Sequence, residues 1–218
     1  MSPRARWVCL GLAGTYDTFV RPWMLEWGST PTERSRTLPG DDMTDETMTH
    51  HTRAITIHAP PEAIWPWLVQ IGDQRGGFYS HDWLERYIGV HYIEGRHSAT
   101  RIHPELQRLR VGDRIATGSI ANVTIDAPVN VLEPNRALVI GTWAFVLQPT
   151  DEGHTRLLVR EREPSWIRRL APRRSGMLRA VGGIVDYAIG EPLHFVMTRK
   201  MMLGLKSRAE NHPMAVAP

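Results

Sequence analysis

The stretch TRAITIHAPPEAIWPWLVQIGDQRGGFYSHDWLE, Thr52 to Glu85, changes its hydrophobic period, and that change decides the fold. Ile55 and Ile57 alternate with Thr56 and His58, the period of a half-buried strand. Pro60-Pro61 ends the alternation. Pro61 or Glu62 can then open a helix, since a proline at the first helical position forfeits no hydrogen bond. Ile64, Leu68 and Ile71 recur at helical spacing, with Pro66 predicting a kink among them. Gly72 interrupts the pattern, and Gly76-Gly77 reads as a tight turn and a hinge. Phe78 to Ile88 resumes as a second amphipathic helix with Trp83, Leu84 and Tyr87 on one side.

Downstream the period returns to two. VGDRIATG, ANVTIDA, VNVLEPN, RALVIG, TWAFVLQPT and HTRLLVRERE, from Val111 onward, are separated by Gly, Pro or Asn, the signature of an antiparallel meander. Trp143, Phe145 and Leu147 share one face. Leu157 and Val159 point one way and Arg156, Arg160 and Arg162 the other, with Leu158 breaking the alternation by sharing the charged face. Beyond Pro164 the pattern is helical: Met177, Val181, Ile184 and Ala188 fit one face. After Gly190 and Pro192, Leu193, Met197, Met201 and Leu205 recur every four residues opposite Arg199, Lys200 and Lys206. One strand, two short helices, a meander and a long terminal helix make an α+β fold, a curved antiparallel sheet wrapped around the C-terminal helix.

The flanks are simpler. Residues 28–50 (GSTPTERSRTLPGDDMTDETMTH) are polar and predict a surface arm with little buried. The expected organisation is an arm over 1–50, one domain over 51–208 and a tail over 209–218. Trp7 to Gly14 (WVCLGLAG) follows Arg4 and Arg6. It is far short of the roughly 20 residues that span a bilayer, and it reads as a short helix docked on the domain or an interfacial anchor.

Composition narrows the function classes. Hydrophobic residues at 42% and charged residues at 22% allow a sizeable core and argue against a disordered chain. The net charge of +3 tolerates acidic ligands and anionic membranes without demanding nucleic acid. Cys9 is the only cysteine, so no internal disulfide forms and a multi-cysteine zinc site is excluded, which suits a reducing compartment such as the cytoplasm.

The order of elements, together with the opening stretch, RIHPELQRLRVGDRI and EPLHFVMTRKMMLGLKSRAE, resembles the SRPBCC superfamily over residues 21–210. This is the helix-grip fold of START lipid-transfer domains, aromatase/cyclases and the birch-pollen allergen class, and the similarity is to a largely uncharacterised bacterial subgroup. The resemblance implies an apolar cavity between sheet and C-terminal helix. It leaves open whether the occupant is carried or converted. Gly89 to Arg101 (GVHYIEGRHSATR) is more polar and richer in His than the subgroup pattern.

Candidate chemistry concentrates near the opening stretch. Ser80-His81-Asp82 has the letters of a hydrolase triad, but adjacent side chains diverge and no Gly-x-Ser-x-Gly elbow is present. Asp82 and Glu85 share a helical face and can act as paired carboxylates; the plainer alternative has Asp82 in a structural contact and Glu85 in solvent. Asp82, beside Tyr79 and Trp83, is the first choice for a proton carrier. Arg101 and His103 can hold an anionic or carbonyl group, or instead pair with Glu105 or Asp113. His91, His97 and His103, spaced by six, match no compact metal motif, and no metal or cofactor is assigned. Trp65, Tyr79, Trp83, Trp143, Phe145, Met197 and Met201 are the expected cavity wall. Seven arginines from Arg160 to Arg179, among Trp166, Ile167 and Leu170, read as a solvated face or a lipid-facing one.

These features support a carrier or sequestering protein for a lipid, polyketide or isoprenoid-like molecule. A cofactor-free cyclase, aromatase or dehydratase is the alternative, and a membrane-peripheral accessory protein the third.

Overall fold

A computed structural model of the chain describes residues 14–43, 50–120, 123–162, 182–183 and 185–211. Cys9 and the Trp7–Gly14 run (apart from Gly14), Met177, Val181, Ile184 and the stretch 163–181 lie outside the described residues.

The first strand, β1 (His51–Ile57), is followed by α3 (Pro61–Val69) and α4 (Asp82–Tyr87). Then come β2 (Arg114–Ile120), β3 (Val123–Glu133), β4 (Ala137–Ile140), β5 (Trp143–Pro149) and β6 (Thr155–Glu161), and the chain ends on α5 (Glu191–Asn211). Upstream lie two shorter helices, α1 (Arg21–Leu25) and α2 (Pro31–Ser35). The sheet is open and antiparallel, in the order β1-β6-β5-β4-β3-β2. The expected α+β arrangement of antiparallel sheet, two short helices and long terminal helix is therefore present, the sheet having six strands.

The core forms where the inward sheet face meets α3 and α5. Ile57, Leu138, Phe145, Leu147, Leu157 and Val159 from the strands pack with Ile64, Trp67 and Leu68 of α3 and Met201, Met202, Leu205 and Ala209 of α5. Each such side chain contributes roughly 1.5–3 kcal/mol on full burial. α3 runs through Pro66 without ending. The buried face of α5 passes through Phe195, Thr198, Met201, Met202, Leu205 and Ala209. It is rotated from the expected 193-197-201-205 line, so Met197 is only half-buried.

Two strand readings change. ANVTIDA and VNVLEPN form one strand, β3, which runs through Pro128. Pro128 stands opposite Arg114 at the last rung shared with β2, and the ladder to β4 begins at Val129. The missing N–H therefore falls where one partner strand hands over to the next. The second short helix begins at Asp82 instead of Phe78, because Tyr79 adopts φ 57 and breaks any helix across it.

The largest correction concerns the face beneath the arm. The outward face of β6 is not solvated: Arg160 and Arg162 are 1% and 2% exposed. Arg160 spends all five of its N–H donors on Thr52 Oγ1, the Arg36, Glu33 and Arg34 carbonyls and Asp41 Oδ2, at 2.6–2.9 Å. Arg162 adds Asp41 Oδ1 at 2.5 Å and the Pro39 carbonyl at 2.8 Å. Arg156 pairs with Glu33, whose carboxylate also closes a capping box with Thr30 at the start of α2. The arm itself lies on the surface, with Leu38 and Gly40 buried and Glu33, Pro39 and Asp41 half-buried against these cations. Leu38 packs with Ala54, Val146 and Leu158, so the residue that broke the β6 alternation has an apolar partner.

Candidate functional site

His51, Glu161 and Trp143 stand in register across β1, β6 and β5, at the same end of the sheet. Residues opposite one another in an antiparallel ladder share a face, and Glu161 continues the inward parity of Leu157 and Val159. A carboxylate thus sits on the inward face with His51 and Arg53, at the end of the apolar run through Leu157 and Val159. Its Oε1 accepts the Trp143 indole N–H at 2.5 Å and the Thr198 hydroxyl at 3.3 Å. Its Oε2 faces Arg53 Nη1 at 3.3 Å and His194 Nδ1 at 3.2 Å. Arg53 is anchored by donating Nε–H to the Met24 carbonyl at 2.9 Å, and its guanidinium lies over the Phe195 ring.

The electrostatics follow from this arrangement. Burial pushes the Glu161 carboxyl up, but His194, Arg53 and the Trp143 N–H outweigh it and hold the group below the usual carboxylate range. Burial lowers His194, with Glu161 opposing in part, so the imidazole favours its neutral form. Nδ1 faces Glu161 Oε2 at ion-pair distance, and no hydrogen bond to either His194 ring nitrogen is formed among the described residues. The Trp143 ring lies 5.4 Å from Phe145, 6.1 Å from His194 and 6.3 Å from Phe78. The cluster can accept or donate one hydrogen bond to a ligand lying along these rings, and His194 can exchange a proton with it.

The residues singled out from sequence occupy other places. Asp82 Oδ1 accepts the Ser98 backbone N–H at 3.1 Å and its hydroxyl at 2.8 Å, which ties the start of α4 to the 91–99 loop. Glu85, expected in solvent, is fully buried. Its carboxylate accepts the Phe78 and Ser80 backbone N–H groups at 3.1 and 2.8 Å and the Tyr92 hydroxyl at 3.2 Å. Burial pushes its carboxyl up despite those bonds, so the raised carboxyl of this helix is Glu85. His103 is 3% exposed and bridges Glu94 (2.7 Å) and Glu105 (3.1 Å). Burial would raise the Glu94 carboxyl, but His103 and Thr100 bring it down to about 2. Arg101 is exposed, its Nε 3.9 Å from Glu94. Asp82, Arg101 and His103 thus share no direct contact among the described residues. His91 pairs with Asp73, and no three-residue metal cluster occurs among the described residues.

Of the expected wall, Phe145, Met201 and Tyr79 are buried in the core, and Trp143 and Trp65 pack on its edge. Tyr79 donates its hydroxyl to the Trp67 carbonyl at 2.9 Å, so that hydroxyl is already committed. Trp83, at 65% exposed, and Tyr87, at 86%, face solvent, and only Leu84 and Glu85 of α4 turn inward. Gly76-Gly77 does form a tight turn. Gly72 and Gly77 exchange backbone hydrogen bonds, and a Cβ on Gly77 would stand 2.6 Å from the Tyr92 ring. Glu161 and His194 were missed in sequence, although Glu161 falls on the inward parity of β6 and His194 one turn before Thr198.

No protein-family profile and no curated protein matches the chain. Solved structures do. A polyketide-cyclase-like protein from Corynebacterium glutamicum matches at 18% identity and TM-score 0.37, over 78% of this chain and 99% of its own. A protein from Mesorhizobium loti matches at 17% and 0.35, over 75% and 100%. A Staphylococcus aureus protein of unknown function matches at 13% and 0.35, over 75% and 98%. These scores are too low to carry a claim alone, and the fold rests on the architecture itself. The open six-stranded antiparallel sheet, the two short helices after its first strand and the long helix across its inward face have the architecture of a helix-grip fold.

Proposed function

We propose that the chain binds a hydrophobic small molecule, of lipid, polyketide or isoprenoid character, between the inward sheet face and α5. The polar end of the ligand lies at Glu161 and His194. One observation carries this reading: an apolar, aromatic face ends in a linked Arg53–Glu161–His194–Trp143 group at the junction of sheet and helix. Apolar burial, at roughly 25 cal/mol per Å², supplies affinity, and the polar end fixes orientation.

A second reading has one observation in its favour. His194 is held beside the Glu161 carboxylate with its pKa lowered by burial, which suits a general base in a cofactor-free cyclase, aromatase or dehydratase acting on a poly-carbonyl or aromatic substrate.

Native mass spectrometry of the purified chain separates the two readings. A single retained apolar species supports carriage; a substrate–product pair supports catalysis. Glu161→Gln is expected to weaken retention about ten- to hundredfold, the effect of losing a charge-assisted bond, whereas Asp82→Asn leaves it unchanged. Retention indifferent to both Glu161→Gln and Trp143→Ala would sink the proposal.

A further inference from the structure

The helical segment from Gly14 to Leu25 lies beside the segment from Val185 to Arg199. Tyr16 meets the Tyr187 ring at 5.2 Å, Arg21 grips the Glu191 carboxylate with two bonds of 2.7 and 2.9 Å, and Trp23 meets Phe195 at 5.1 Å. These contacts advance along both segments together, so the helices run parallel and their N-terminal ends lie side by side. The pair carries six of the large apolar side chains that the described residues expose. Phe19 is 69% exposed and Trp23 55%; Ile189 is 60% and Val196 46%; Val20 and Val185 are near 40%. Phe19 and Trp23 are four apart, and Val185, Ile189 and Val196 fall on one helical stripe. Isolated apolar residues need no explanation, but two stripes on paired helices do.

The chain entering this pair names the occupant. Residues 1–13, which lead into the first helix, hold Arg4 and Arg6 with Trp7, Leu10 and Leu12, and no acidic residue. Residues 164–181, which lead into the second, hold five arginines with Trp166, Ile167, Leu170 and Leu178, again with no acidic residue. Both stretches join at the same end of the pair. The acidic groups beside the stripes are engaged: Asp17 accepts the Tyr187 hydroxyl, and Glu191 is held by Arg21. Apolar stripes containing Trp and preceded in the sequence by arginine-rich stretches, with Asp17 the one exposed carboxylate among the described residues of the first helix, match the interface of an anionic bilayer. Among the described residues no helix is long and apolar enough to cross a membrane.

We propose that this helix pair docks the protein on an anionic lipid surface, with Phe19, Trp23, Ile189 and Val185 entering the headgroup layer and the flanking arginines meeting lipid phosphates. The proposal is independent of the ligand assignment. It adds that the His194 end of α5 lies toward the membrane, because His194 belongs to the docked helix.

Flotation of the full chain with vesicles tests it. Binding is expected to phosphatidylcholine vesicles containing phosphatidylserine, to weaken with salt, and to be weak on phosphatidylcholine alone. Phe19→Ser with Ile189→Ser, and separately Arg173→Glu with Arg174→Glu, should each reduce bound protein about tenfold or more. Both Phe19 and Ile189 are exposed, and an unchanged thermal melt verifies the fold. Hydrogen exchange of the wild-type chain should slow over 14–25 and 185–196 when vesicles are added. Absence of flotation, flotation indifferent to both double variants, or unchanged exchange over these helices would each overturn the proposal. So would a self-association that Phe19→Ser with Ile189→Ser abolishes in a wild-type chain that ignores vesicles.

Discussion

His51 lies beside Glu161 at the end of β1, and burial lowers its pKa to about 4 from an ordinary 6.5. Between those values the unfolded chain binds a proton that the folded chain refuses. The His51 contribution to stability is therefore complete above pH 6.5 and is lost as pH falls through the window to 4. His194 is lowered in the same direction and adds to the slope. Thermal melts from pH 7 to 4 should show the midpoint falling, and His51→Gln should flatten that fall; an equal slope in the variant would remove His51 from the account. At this scale the sequence was least informative. Asp82 and Glu85 were both visible as carboxylates three apart, but which one the fold encloses depends on Phe78, Ser80 and Tyr92 converging on Glu85. That convergence needs the left-handed turn at Tyr79, which no spacing rule announces.

Among the elements, α5 depends on one small residue. A Cβ on Gly204 would lie 2.3 Å from the Tyr79 carbonyl oxygen, so the helix approaches the 78–81 turn only because nothing projects there. Gly204→Ala should destabilise the fold by about 1–3 kcal/mol despite the better helix propensity of alanine. Urea denaturation checks this, and an unshifted midpoint would show that the turn can yield. Periodicity located α5, β5 and β6 well, because each buries a regular stripe. It misjudged α4 because only six residues are helical and the inward face is used by Leu84 and Glu85, leaving Trp83 and Tyr87 outside. Helical spacing gave the correct element there and the wrong side. It also divided β3 at Pro128, where a change of partner strand tolerates the missing donor.

For the whole molecule, the misread part was the outward face of β6, which the surface arm covers. Residues 28–43 are polar because they are a lid of hydrogen-bond acceptors for Arg156, Arg160 and Arg162, and composition alone cannot distinguish such a lid from a solvated arm. Removing it strips Asp41 and three backbone carbonyls from Arg160 and uncovers Leu158 and Val146. Breaking one buried charge pair costs about 3–5 kcal/mol, against a total stability of about 5–15 kcal/mol for an ordinary domain. A chain beginning at residue 51 should therefore show no cooperative melt by circular dichroism or calorimetry. A melt matching that of the full chain would show the lid to be dispensable.

That lid also fixes the order in which the protein can assemble. Glu33 offers its carbonyl to Arg160, 127 positions later, and Ile57 pairs with Thr155. At a synthesis rate of about 5–20 residues per second, the arm and β1 wait roughly 6–25 s for β6 to leave the ribosome. The hairpins from β2 to β6 can close through local contacts before the N-terminal quarter of the chain joins them, and α5 follows. During that interval β1 is a bare strand with Ile55 and Ile57 unsheltered. The nascent chain, more than the finished protein, exposes the unpaired apolar strand that aggregation exploits.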